Sequence, residues 1–135
     1  MQDIKYGYSI QLQMSFSEAV VKVKEGFLSQ GFGALSEINV QEKMWEKLQK
    51  RMDGYLILGM CNPKLAAAAI DMEPNIGLLL PCNVIVRQTE SGVVVAAQKP
   101  SLMSEIVPTP GMEAIAKEAE EKILIAMQVI EGNTL

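Results

Sequence analysis

The hydrophobic period of this chain changes at Ser15, and that switch constrains the fold more than any other local feature. Before it, Tyr6, Tyr8, Ile10, Leu12 and Met14 alternate with Gly7, Ser9, Gln11 and Gln13, the period-two pattern of a half-buried strand over Lys5–Met14. After it, Phe16, Val20, Val23 and Phe27 recur at spacings of four, three and four, which makes one apolar stripe along a helix. Ser15 with Glu18 three positions on is a capping-box arrangement, and Gly31 supplies the stop. A strand with one wet face followed at once by an amphipathic helix calls for a helix laid on a sheet.

The rest of the chain repeats that alternation. Phe32–Val40 reads as a second strand, and Val40, Met44, Trp45 and Leu48 as an amphipathic helix reaching about Arg51. Asp53-Gly54 turns the chain into a buried strand over Tyr55–Cys61, which Asn62-Pro63 ends. Asn62 as N-cap and Pro63 at the first helical position open a helix through the alanine run, ending before Pro74. The apolar stretch from Gly77 to Val86 is expected to enter the sheet irregularly around Pro81. Thr89 to Gly92 forms a hairpin loop to the strand Val93–Gln98. Pro100–Val107 supplies one or two helical turns, and Thr109-Pro110 opens a last helix through Ile130. The expected fold is α+β: one domain over residues 1–135, with a mainly antiparallel sheet and its helices on one face.

Charge and composition remove several functions. With a net charge of −4 the domain repels a phosphate backbone, so nucleic acid is not an expected partner. The basic cluster Lys43, Lys47, Lys50 and Arg51 is interleaved with Glu42 and Glu46 as on a solvated helix face. The stretch Met1–Lys5 is polar with no apolar block and cleavage site after it, and the run Ile76–Val86 is too short for a bilayer. No membrane association is expected, and the cytoplasm is the expected compartment, with both cysteines reduced.

Histidine is absent, which eliminates Ser-His-Asp and Cys-His catalysis within the chain along with the commonest metal ligand. Neither nucleotide-binding glycine fingerprint occurs, and Gly31-Phe32-Gly33 lies at a helix end, the reverse of the dinucleotide order. What remains is a matched pair, Cys61-Asn62-Pro63 leaving one strand and Pro81-Cys82-Asn83 entering another. Each sets a thiol beside an amide at a strand end. Cys61 just ahead of a helix start would have its thiolate favoured by unpaired backbone N–H groups and the helix dipole. The plainer reading is two small buried hydrophobes with each Asn capping a turn or helix.

Cys61-Asn62-Pro63-Lys64, the stretch from Gly77 through Leu80-Pro81-Cys82-Asn83-Val84, Gly31-Phe32-Gly33 and Glu37-Ile38-Asn39-Val40 together resemble the domain of unknown function 302 family. The resemblance runs from about Tyr8 to Ile130. It implies a TATA-binding-protein-like α/β arrangement and a homodimer, and it implies no established activity. The positions it carries over are Glu37, Cys61, Asn62, Pro63, Gly77, Leu80, Pro81, Cys82 and Asn83.

The leading expectation is therefore a non-enzymatic ligand-binding or interaction domain, with a polar pocket formed by Glu37, Cys61, Asn62, Cys82 and Asn83 that receives a small molecule. No cofactor is required by it. The rival is redox or sulfur chemistry, or zinc held by Cys61, Cys82 and Glu37, although the spacing matches no zinc pattern. A third expectation is a purely structural role, with Met44, Trp45 and Leu48 forming a dimer or partner surface.

Overall fold

The computed structural model describes residues 1–132; the last three positions of the span 1–135 lie outside the described residues. Strand β1 (Gln2–Ile4) turns through Lys5-Tyr6 into β2 (Gly7–Leu12), followed by α1 (Phe16–Leu28), β3 (Gly33–Asn39), α2 (Val40–Leu48), β4 (Tyr55–Cys61) and α3 (Pro63–Met72). A 3-10 helix (Pro74–Leu79) then leads into β5 (Cys82–Thr89), β6 (Gly92–Gln98), α4 (Ser101–Ile106) and α5 (Met112–Glu131). The six strands among the described residues form one sheet in the order β1-β2-β6-β5-β4-β3. Every neighbouring pair is antiparallel. This is the α+β arrangement the sequence pattern calls for.

Register explains the core. Tyr8, Ile10 and Leu12 stand opposite Ala97, Val95 and Val93, which in turn stand opposite Val84, Val86 and Gln88. Val84 and Val86 continue across to Leu58 and Leu56 on β4, so one face is an apolar layer with Gln88 at its margin. The stripe of α1 (Ala19, Val23, Phe27) and the inner face of α5 (Ala119, Ile123, Ala126, Met127, Ile130) pack on that layer. A second, smaller cluster joins Ala69 of α3, Ile76 of the 3-10 helix, Met103 of α4 and Met112, Ile115 and Ala116 of α5. It extends the core past the end of the sheet.

On the opposite face the register aligns Ile38, Ile57, Ile85 and Ala96 in one row across β3, β4, β5 and β6. Tyr55, Arg87, Val94 and Gln11 make the next row. None of these side chains is fully buried.

Four expectations need correction. The first strand is a hairpin instead of one run from Lys5 to Met14, because Tyr6 sits in the turn and is exposed, while Met14 lies past the last ladder pair. Helix α2 stops at Leu48 because Gln49 takes a left-handed conformation (φ 51°) that closes it. The final helix begins at Met112, not at Thr109-Pro110, because Gly111 (φ 93°) interrupts the backbone after Pro110. Residues Pro74–Leu79 are a 3-10 helix and not the start of a strand. Pro74 stands in its first turn, the Glu73 carboxylate accepts from Asn75 N at 3.3 Å, and a cis Leu80–Pro81 bond precedes β5.

Candidate functional site

The two cysteine motifs meet at one end of the sheet. Met60 pairs with Cys82 across β4 and β5, so Cys61, the next residue on β4 and the partner of Gly33 on β3, lies beside it. Asn62 does what its position predicts. Its Oδ1 accepts from Leu65 N at 3.3 Å, capping α3, with Pro63 in the first turn. Its Nδ2 also donates to the Gln30 carbonyl at 3.4 Å, which ties the start of α3 to the end of α1. Gly31, at φ 83°, lies directly under that amide, and a Cβ there would be 3.0 Å from Nδ2.

Pro81 is held by close approach to β4. A Cβ on Gly59 would lie 2.7 Å from the Pro81 ring and 2.3 Å from Ser36 Oγ, so only glycine lets the proline seat against the strand. That seating fixes where Cys82 enters β5. Burial, and secondarily the neighbouring Cys61, push the Cys82 thiol up to about 11, so it is protonated at neutral pH. Both cysteines are free thiols.

Between these elements lies a cavity of about 380 Å³. Cys61, Asn62, Pro81 and Cys82 stand on its wall, and Phe32, Leu65, Ala66, Leu80, Gln98 and Met103 complete much of the rest. The wall is overwhelmingly apolar, where a polar pocket was expected. Asn62 spends its amide on backbone groups, which leaves Ser36 and Gln98 as the other polar side chains on the lining.

Two sequence-derived candidates stand apart from it. Glu37 sits opposite Leu58 on β3 and pairs with Lys24 of α1 at 2.7 Å, both side chains being well exposed. Asn83 is exposed; its backbone N–H donates to Gln98 Oε1 at 3.1 Å, and it does not reach the cavity wall. Among the described residues no third His, Cys, Asp or Glu joins the two thiols to make a metal-holding group. Of the three donors proposed for zinc, Cys61 and Cys82 stand together on the cavity wall and Glu37 does not.

The family model described as a domain of unknown function, DUF302, matches residues 8–130. The chain belongs to this family. A crystal structure of an uncharacterised conserved DUF302 protein from Bacillus stearothermophilus is similar to it, with a TM-score of 0.84 and 25% identity over 93% of this chain and 98% of that one. No curated protein matches the chain. In this DUF302 chain the residues that sequence reasoning missed are the apolar ones of the cavity. Phe32 and Leu65 look like ordinary core in sequence, and Ala66 is one of a run chosen for close packing. The alanine run was the available signal, since two of its four small side chains, Ala66 and Ala69, stand on the wall and leave space that larger residues would fill.

Proposed function

We propose that this DUF302 protein is a non-enzymatic binding domain that takes a small molecule into the cavity at the Cys61-Asn62 and Pro81-Cys82 motifs, and that it works as a homodimer. The observation that carries the first part is the meeting of both motifs on one apolar cavity. Its volume, about 380 Å³, falls within the range of small-molecule pockets. Exposed apolar residues stand around it: Leu35 and Ile70 on its wall and Leu78, 88% exposed, between two wall residues. A bound molecule would cover part of this surface.

The test uses prodan, a neutral dye whose emission shifts to the blue in apolar surroundings. One molecule is expected to bind per chain. Filling the cavity from two sides, with Ala66→Trp and separately with Gly77→Phe, should remove most of that binding while leaving the far-ultraviolet circular dichroism unchanged. Gly77 has open space where a Cβ would stand. Unshifted emission with the wild-type protein, or full binding by both folded variants, would sink the reading.

For the homodimer, the sheet face opposite the helices is the supporting surface. Its row Ile38, Ile57, Ile85 and Ala96 is aliphatic, and Arg87 is the charged residue beside it in the next row. Charge depletion marks the centre of protein interfaces, and it lets two chains of net charge −4 approach on their least repulsive side. Sedimentation should give a dimer that Ile57→Glu converts to a folded monomer. If Ile57→Glu stays dimeric and Leu48→Glu does not, α2 is the interface. Helix α2 buries no residue of its own and exposes Trp45 and Leu48.

Thiol chemistry is the second reading, supported by Cys61 and Cys82 standing close enough for one to raise the pKa of the other. The protonated state of Cys82 weighs against it, because the thiolate is the nucleophile and the metal ligand.

A further inference from the structure

The charges of the chain are distributed very unevenly around the cavity. The sequence carries twelve basic and sixteen acidic residues, yet among the described residues not one Lys, Arg, Asp or Glu stands on the cavity wall. Lys99 lies in sequence between the wall residues Gln98 and Pro100, and it is turned away. Its ammonium pairs with Asp3 and lies 4.9 Å from the centre of the Tyr8 ring. Glu37, Lys64, Asp71, Glu118 and Glu120 also adjoin wall residues in sequence without standing on the lining, and the Glu120 carboxylate is taken up by Tyr8 OH and Ser101 N.

The polar groups on the wall are few and largely spent. Both ends of the Asn62 amide are engaged by backbone, as described above. Gln98 Oε1 accepts from Asn83 N, so what Gln98 can still offer is its Nε2 donor. Ser36 offers a hydroxyl beside Pro81 and Gly59. At the start of α3 Pro63 has no N–H, Leu65 N is answered by the Asn62 side chain and Ala66 N by the Asn62 carbonyl.

We infer that the molecule taken up by this cavity is neutral and predominantly aliphatic, carrying at most one small hydroxyl, carbonyl or similar group to meet Ser36 or Gln98. The inference rests on the binding reading proposed above and narrows it to a chemical class. Moving a carboxylate or an ammonium from water onto this wall would strip its hydration and return no ion pair and at most one or two neutral hydrogen bonds. A hydroxyl loses far less and can recover it from the same donors. An alkyl chain gains from every apolar contact, against Leu65, Leu80 and Met103 in particular.

Octanol and octanoate share an alkyl chain and differ in charge at neutral pH, so they separate this inference from the reading beneath it. Each is titrated against the prodan complex of the full chain at pH 7.5, with the Ala66→Trp protein as the blank. Octanol is expected to displace the dye with an affinity at least about tenfold greater than octanoate, a difference of about 1.4 kcal/mol. Equal displacement by the two, absent from the Ala66→Trp protein, overturns the neutral class and leaves a binding cavity standing. If prodan binds and neither aliphatic compound displaces it, the aliphatic class is wrong. If prodan itself does not bind, the cavity reading fails and takes the inference with it.

Discussion

Phe27→Ala is expected to lower the folding stability by about 4 kcal/mol, the cost of deleting a fully buried aromatic ring whose site cannot collapse. Phe27 is fully buried on the inner face of α1. It meets Phe32 edge to face, with ring centroids 6.0 Å apart and planes at 81°, an arrangement that adds to the simple burial of area. The surroundings have little freedom to collapse, because Phe27 O also accepts from Gln30 N and Phe32 N where α1 stops. The void would open behind Phe32, on the back wall of the cavity. Set against the roughly 5–15 kcal/mol of a typical domain, such a loss leaves the protein close to unfolding at growth temperature. Guanidinium titration checks it: the midpoint should fall steeply with the slope unchanged. Leu28→Ala, next door and 66% exposed, should move it by less than about 0.5 kcal/mol. Similar midpoints for the two variants would mean that the contact between α1 and the sheet is not where stability is concentrated.

The elements read most cleanly from sequence are those fixed by local chemistry. Ser15 accepts from Glu18 N at 3.2 Å, and Asn62 with Pro63 starts α3, as the residue types demand. The hairpin forms with Thr89 opposite Gly92 and a two-residue turn between them. Errors fall where the outcome depends on a single backbone conformation. Alternation alone cannot tell whether Tyr6 continues a strand or sits in a turn, because both leave Tyr8, Ile10 and Leu12 in phase. Gly77-Leu78-Leu79 is apolar enough for a strand, but Pro74 and the Glu73 cap close it into a 3-10 helix first, leaving Leu78 in solvent.

The site was legible in part for the same reason. Cys61, Asn62 and Cys82 could be singled out because polar or reactive residues inside apolar runs are conspicuous, and the antiparallel register of β4 and β5 brings them together. Glu37 was a candidate through the family resemblance and as a carboxylate to join the two thiols at a metal, yet its partner is Lys24 of α1, a contact decided by helix placement. The cavity is invisible in sequence because it is a relation among β3, β4, α3, α4 and the 3-10 helix, each contributing residues that separately look like core. Apolar side chains around empty space carry the same letters as apolar side chains around one another.

Raising the pH should destabilise this protein through Cys82 before most other groups respond. The thiol has an ordinary value of 9.0 and is pushed up to about 11 in the folded chain, by burial first and by Cys61 second. Below pH 9 both folded and unfolded chains keep the proton, so the group adds no pH dependence. Between pH 9 and 11 the unfolded chain releases its proton and the folded chain does not, so stability falls as pH rises. The slope approaches about 1.4 kcal/mol per pH unit, which amounts to about 2 kcal/mol by pH 11. Tyr8 acts in the same direction from pH 10 upward, because burial and its hydrogen bond to Glu120 Oε2 at 3.0 Å push the phenol to about 12. The interval from pH 9 to 10 therefore belongs to the thiol. Wild-type stability should drop there by about 1 kcal/mol more than that of Cys82→Ala, whatever constant offset the lost sulfur introduces. A Tyr8→Phe control should keep the drop. Native Cys82 should also react with thiol reagents far more slowly at pH 7.5 than an unfolded chain does, and accelerate as pH approaches 11. Parallel stability curves from pH 9 to 10, together with fast modification of native Cys82 at neutral pH, would mean that the thiol is not desolvated, and the balance between the two functional readings would move toward thiol chemistry.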